Sequence, residues 1–268
     1  MEIDGRVAVV TGGGGGIGGA AARALAAGGA KVLVADLDGD TADRIAAEIQ
    51  REGGGALAVA ADVSRQAEIE GMVSRAEAEL GPVDLFFANA GTAGGAGLAD
   101  EDEWALTIEV NLLAHVRAAR AMVPRWLERG EGYFVATASA AGLLTQIGAA
   151  PYAVTKHAAV AFAEWMSITY GARGIRASCL CPMGVDTNLL NAGLDDPGEE
   201  GLPARVVAAA GDVLSPDEVA TDLLDAIRAE RFLVLPHPEV LDFFRRKGTD
   251  YDRWIAGMRK LQERVEGG

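Results

Sequence analysis

Tyr152 and Lys156 lie four residues apart in APYAVTKHAAV, residues 150–160, immediately behind Pro151. Proline suits the first position of a helix, so the two side chains share one helix face close to its N-terminus. A lysine is electrostatically awkward there, because the N-terminal end of a helix carries partial positive charge. Beside a tyrosine it has a use. A phenol with an ordinary pKa of about 10 is a poor base at neutral pH, and a neighbouring ammonium and a helix N-terminus both favour the phenolate. The pair therefore points to acid/base chemistry on a tyrosine rather than to ordinary surface.

A second group of residues suits anion binding. VAVVTGGGGGIGGAAARAL runs from an apolar strand through glycines into an alanine-rich helix. In that context Gly12, Gly16 and Gly18 give a tight turn, an exposed backbone and close packing of helix on sheet. Ile17 sits among them. The N–H groups of the helix start then face a phosphate. No Lys-Ser or Lys-Thr follows the glycines, which disfavours a P-loop. The second strand ends in Asp36, eighteen residues past Gly18, where a carboxylate can accept hydrogen bonds from an adenosine ribose and would repel a 2′-phosphate. Leu37 follows it, not arginine, and Gly15 brings no basic side chain before Gly16. NAD is therefore expected in preference to NADP. A simpler role for Asp36, capping a turn or helix, is also compatible with its position.

These residues need a scaffold, and the hydrophobic pattern supplies one. RVAVVT, KVLVAD, ALAVAAD, VDLFFAN, GYFVATAS and IRASCLCP are apolar runs of strand length without polar alternation, which suits a parallel sheet covered on both faces. Helical patterns separate them over residues 17–28, 40–52, 65–80, 102–129 and 150–173. Alternating strands and helices imply right-handed crossovers and a doubly wound α/β sheet. Beyond residue 182 come a Gly-rich polar segment at 191–203, a helix opened by SPDE at 215–218, the apolar run FLVLP and a helical tail. A single domain over 1–268 is expected, with a lid segment at about 183–210 and a C-terminal helical tail at about 238–268.

The ordered set of motifs resembles the classical short-chain dehydrogenase/reductases. It comprises T-G-x-x-x-G-x-G at Thr11 to Gly18, ANAG at 88–91, Asn111 in EVNLLAHV, Ser139 in ATASA and Y-x-x-x-K at Tyr152 to Lys156, with thirteen residues from Ser139 to Tyr152. The likeness spans roughly residues 5–190. It implies a Rossmann fold with a mainly seven-stranded parallel sheet and a catalytic tetrad of Asn111, Ser139, Tyr152 and Lys156. By that pattern Ser139 holds the substrate oxygen, Lys156 also holds the nicotinamide ribose, and Asn111 supports a backbone distortion and a water leading from Lys156. Alone, Ser139 reads equally as a strand-end serine and Asn111 as an ordinary polar helix residue. The pattern further implies that Asp62 and Val63 contact adenine, that Asn89, Ala90 and Gly91 line the cofactor cleft, and that Val185 and Thr187 lie near the nicotinamide amide. Two departures are visible: Ala88 stands where asparagine is commoner, and Met183 where glycine is usual.

The expected reaction is interconversion of a secondary alcohol and a ketone with NAD. A catalytically silent NAD-binding sensor or scaffold is the alternative, and nucleotide-sugar epimerisation or dehydration a third option disfavoured by chain length. The segments expected to rim the substrate pocket offer Leu143, Ile147, Met183, Leu189 and Leu190 among other apolar residues and few charges, which suggests an apolar substrate; the same side chains would also serve to pack a lid on itself. A net charge of −15 argues against nucleic acid and anionic membrane as partners. No stretch approaches the length of a membrane span, the N-terminus shows no export signal, and Cys179 and Cys181 read as reduced, buried thiols on one face of a strand. A cytoplasmic protein is expected. The three histidines lack a metal-binding spacing, so no metal is assigned. The small residues Ala158, Ala159, Ala161 and Ala163 permit close helix approach, at a subunit interface or in packing within the chain; the family resemblance, with such helices and the last strand, implies a homotetramer.

Overall fold

The computed structural model describes residues 1–267; Gly268, included in the domain and tail expected from sequence, lies outside the described residues. Six apolar runs form strands β1 (Val7–Thr11), β2 (Lys31–Asp36), β3 (Ala56–Ala60), β4 (Leu85–Ala88), β5 (Gly132–Thr137) and β6 (Ile175–Leu180). Two short strands, β7 (Gly184–Val185) and β8 (Val213–Leu214), pair with each other, and β9 (Leu233–Val234) completes the main sheet. That sheet has seven strands, all parallel, in the order β3-β2-β1-β4-β5-β6-β9. The order reverses between β1 and β4, and in open α/β sheets ligands bind beyond the strand C-termini at such a point.

Helices cover both faces. They are α1 (Gly16–Ala27), α2 (Gly39–Arg51), α3 (Gln66–Glu79), α4 (Glu101–Ile108), α5 (Ala114–Arg129), α6 (Ala141–Leu144), α7 (Ala150–Tyr170), α8 (Asn188–Leu194), α9 (Leu202–Ala210), α10 (Pro216–Arg228), α11 (Glu239–Thr249) and α12 (Tyr251–Gly267). Strands covered on both faces bury nearly every side chain, as in β1 and β5, so alternation is absent for the reason inferred from sequence. Two apolar clusters result. One holds Phe86, Phe134, Trp126 and Met166, and the other Leu33's neighbours Val32 and Val34 with Leu25, Ile45 and Leu223 on the opposite face.

The pattern at 102–129 proves to be α4 and α5 joined by a π-helical turn, Glu109–Leu113. SPDE forms a reciprocal capping box, Ser215 with Glu218, at the start of α10. Cys179 and Cys181 are unbridged and buried with their sulfurs 3.7 Å apart. No described helix is long and apolar enough to cross a membrane. Of the α7 alanines, Ala159 and Ala163 are fully buried in the core, so the close approach they permit is within the chain, one of the two roles open from sequence, whereas Ala158 is half-buried and Ala161 exposed; α7 also turns Val154, Trp165 and Ile168 outward, the last 82% exposed.

Candidate active site

The glycine turn leaves β1 where the sheet order reverses. Gly12 has φ +62°, and a Cβ there would lie 2.9 Å from the Ala90 Cα. A Cβ on Gly18 would lie 2.1 Å from the Gly12 carbonyl oxygen. Both positions exclude a side chain, the first by conformation and contact, the second by contact alone. Asn89 locks the turn to its neighbours: its Nδ2 donates to the Thr11 and Gly12 carbonyls at 3.0 and 3.3 Å, and its Oδ1 accepts from Thr137 Oγ1 at 2.9 Å. The side chain thus joins the ends of β1, β4 and β5. Nothing in ANAG alone reveals Thr11 and Thr137 as its partners.

Asp36 ends β2 with both oxygens engaged. Oδ2 accepts from Gly14 N–H at 2.8 Å and Oδ1 from Asp38 N–H at 3.1 Å. The turn-capping role therefore operates, and the same residue also lines the cleft. A carboxylate has capacity for further hydrogen bonds, so the two roles are compatible. Leu37, 77% exposed, borders it. Asp62 accepts from Ser64 N–H at 2.9 Å, and hydrogen bonding to Ser64, with Arg65 nearby, lowers its pKa.

The π-turn brings Asn111 inward. Its Oδ1 accepts from Thr92 N–H at 2.8 Å, while Nδ2 donates to the Thr92 carbonyl at 2.9 Å and to Thr155 Oγ1 at 3.3 Å. Both amide hydrogens are taken, so the side chain fastens the helix to the loop after β4 and to α7. Thr155, between Tyr152 and Lys156, was visible in the sequence but lacked a signal separating it from a routine helix threonine.

Lys156 is 3% exposed, and its Nζ donates to the Thr137 carbonyl at 3.0 Å. It lies 5.5 Å from the centre of the Tyr152 ring. Burial pulls its pKa down from 10.5 to about 8. Gly91 adjoins this lysine and Asn111: a Cβ there would stand 3.5 Å from Nζ, an ordinary contact, and 3.3 Å from Asn111 Oδ1, a tight one. Ser139 Oγ accepts from Ala141 N–H at 3.1 Å and so opens α6. Tyr152 departs from the sequence expectation. Burial raises its phenol above the ordinary value, with hydrogen bonding to Ser139 as the opposing influence. In this geometry desolvation outweighs the expected pull toward phenolate.

Most of these groups surround one cleft of about 970 Å³, while Gly18, Asn111 and Thr155 stand behind its walls. Gly12, Gly16, Ile17, Asp36, Leu37, Asp62, Val63, Asn89, Ala90, Gly91, Val185 and Thr187 line it together with Ser139, Tyr152 and Lys156. Met183, Leu189 and Leu190 do so at the other end. Leu143 does not: the four-residue α6 turns that side chain into the apolar cluster that holds Phe134 and Met166. Ile147 is likewise not among the cleft-lining residues. Gln146, Asp196 and Glu200 line the cleft from the segments 140–148 and 183–205 expected to rim it, whereas Leu106, Val110 and Val207 do so from outside the expected segments; the i, i+4 pair Leu106 and Val110, ahead of Asn111, is the signal the sequence offers. Met183 causes no backbone difficulty, since its φ is not positive, and its N–H donates to His237 Nδ1 at 3.1 Å. No metal-binding cluster occurs among the described residues.

Comparison with known proteins bears on this arrangement. Residues 6–197 match the family model described as short chain dehydrogenase. The chain is 36% identical over 264 residues to 1-deoxy-11-beta-hydroxypentalenate dehydrogenase of Streptomyces exfoliatus, covering 96% of this chain and 92% of that protein. It is 32% identical to 3beta-hydroxysteroid dehydrogenase 2 of Eggerthella lenta, covering 81% and 85%. A solved structure of a short chain dehydrogenase/reductase from Burkholderia phymatum in complex with NAD superposes with a TM-score of 0.85 at 30% identity, covering 94% of this chain and 96% of that one.

Proposed function

The chain belongs to the short-chain dehydrogenase/reductase family, and we propose that it is an NAD-dependent oxidoreductase interconverting a secondary alcohol and a ketone, with Tyr152 as acid/base. The observation that carries this reading is the meeting of Ser139, Tyr152 and Lys156 with the glycine turn and Asp36 around one cleft. The residues suit the dinucleotide. Gly12, Gly15 and Gly16 of the turn line the cleft at the start of α1, where backbone N–H groups can face a phosphate, and Asp36 offers a carboxylate to a ribose and repulsion to a 2′-phosphate. The NAD complex of the Burkholderia phymatum relative supports the same choice.

When bound, the nicotinamide accepts hydride from the carbinol carbon or donates it to the carbonyl. The protein's task is the proton. In oxidation, Tyr152 takes the hydroxyl proton as hydride leaves; in reduction it returns one to the developing alkoxide. Ser139, its hydroxyl at the opening of α6, orients the oxygen. Lys156, held by the Thr137 carbonyl, stabilises the phenolate when it forms and holds the ribose. Asn111 keeps α7 in register through Thr155.

The substrate's remainder meets Leu106, Val110, Met183, Leu189, Leu190 and Val207, with Asp196 and Glu200 the acidic groups on that side. Those walls favour an apolar, ring-bearing alcohol, in keeping with relatives named for a hydroxypentalenate and a hydroxysteroid. Assembly as a homotetramer is supported by the outward apolar face of α7 and by β9 at the open edge of the sheet.

A panel of secondary alcohols and ketones with NAD and NADH, read by nicotinamide absorbance, tests the reading. Turnover of apolar alcohols, lost on Tyr152→Phe while NADH still binds, is expected. Binding without turnover across the panel, or substantial activity in Tyr152→Phe, overturns it.

A further inference from the structure

Lys247 lies in the last turn of α11, beyond the residues matched by the family model. It is buried, 6% exposed, and no carboxylate among the described residues forms an ion pair with it. A lysine is rarely buried without partners, so its contacts are informative. Nζ donates to the Leu143 carbonyl at 2.6 Å, lies 3.5 Å from His157 Nε2 and stands 5.6 Å from the centre of the Tyr251 ring. His157 Nδ1 is 2.8 Å from the Ala153 carbonyl. With the ring proton on Nδ1, Nε2 is left as an acceptor for the ammonium.

Leu143 belongs to α6, the single helical turn between Ser139 and Tyr152. The last carbonyls of a helix lack partners within it, and a lysine can satisfy them. This helix also sits flush on α7. A Cβ on Gly142 would lie 2.5 Å from the Lys156 carbonyl oxygen. Two residues past the clamped carbonyl, Thr145 has φ +89°. A β-branched residue there is strained, and such strain persists only where the surroundings over-determine the backbone.

We infer that Lys247 is a positioning residue for the reaction: by gripping the Leu143 carbonyl it presses α6 onto α7 and fixes Ser139 relative to Tyr152 and Lys156. This rests on the catalytic reading of Ser139 and Tyr152. The coupling is direct, because Ser139 Oγ is bonded to Ala141 N–H at the start of the same helix. When α6 lifts, the hydroxyl moves with it. The C-terminal segment thereby acts on the chemistry without lining the cleft.

The test compares wild type with K247M, K247R and K247Q by two readouts. One is amide hydrogen exchange in peptides covering residues 140–149, which needs no substrate; the other is steady-state kinetics well below the melting temperature. K247M should exchange faster in that segment, with peptides from β1 and α1 unchanged. Its kcat should fall on the order of tenfold or more, the scale expected for a slight misplacement of reacting groups, while the Kd for NADH stays within about twofold. K247R, which keeps a donor for the carbonyl, should recover both readouts. K247Q, polar but too short to reach, serves if the methionine variant fails to fold and should behave as K247M does. Unchanged exchange overturns the clamp. Faster exchange or a lower melting temperature with wild-type kcat overturns the positioning role and leaves only a docking contact. Absence of turnover in wild type would instead refute the functional reading, with exchange still deciding the clamp.

Discussion

Replacing Lys156 by methionine should abolish turnover and yet relieve the folded protein of an electrostatic cost that depends on pH. The ammonium is 3% exposed and burial lowers its pKa from 10.5 to about 8. The folded state therefore holds the proton less well than the unfolded chain. At about 1.36 kcal/mol for each pH unit of displacement, the charged lysine costs the fold roughly 3 kcal/mol at neutral pH. From pH 8 upward the folded protein has lost that proton while the unfolded chain still carries it, so stability rises with pH until the unfolded lysine also titrates near 10.5. Between pH 7 and 9.5 the gain amounts to about 2 kcal/mol. Lys156→Met has no such dependence. It leaves the Thr137 carbonyl without its 3.0 Å donor, a penalty of about 1–3 kcal/mol at every pH, which offsets part or all of the relief at pH 7 and equals or exceeds the roughly 1 kcal/mol left at pH 9.5. Urea unfolding followed by circular dichroism at the two pH values measures the difference between wild type and variant. Wild type should gain about 2 kcal/mol on the variant as pH rises. A difference constant to within about 0.5 kcal/mol, or one that moves the other way, would refute the argument that burial governs this lysine.

Three further outcomes follow from the site and surface. Asp36→Ala should raise the ratio of kcat/KM for NADP to that for NAD by on the order of tenfold, about 1.4 kcal/mol; because Gly14 N–H loses its 2.8 Å acceptor, KM for NAD should rise as well, and an unchanged ratio in steady-state kinetics would reject the charge argument. Gly18→Ala drives a Cβ to 2.1 Å from the Gly12 carbonyl oxygen; it should cost about 1–3 kcal/mol of stability and weaken NADH binding in a fluorescence titration, and wild-type affinity would count against the turn as the phosphate site. Ile168→Glu places a charge on the side chain that is 82% exposed on α7; light scattering should show a smaller assembly than wild type, whereas an unchanged mass would remove that face from the interface.

What the sequence disclosed and what it concealed differ in range. The turn from Gly12 to Gly18 and the pair Tyr152 and Lys156 could be read because their geometry is set within one turn of chain, where residue type and spacing carry the constraint. Asp36 shows how such a reading stays incomplete: its position admitted a turn cap or a ribose acceptor, and the structure shows the cap, in its bonds to Gly14 and Asp38, at a residue that also lines the cleft. Met183 marks the next limit. The departure from glycine was plain, but neither the backbone's staying out of positive φ there nor the bond from its N–H to His237, fifty-four residues away, is announced by a local pattern. Leu143 failed for a related reason. A four-residue helix gives too little periodicity to tell which side chain faces the cleft and which the core, and here Leu143 turns its side chain inward while its carbonyl takes the ammonium of Lys247, 104 residues later. The pKa of Tyr152 belongs to the same class. Type and spacing identify the charge beside a phenol, whereas the desolvation that opposes it depends on every wall of the site, and those walls come from the loop after β4, the π-turn, α7 and the segment after β6 together.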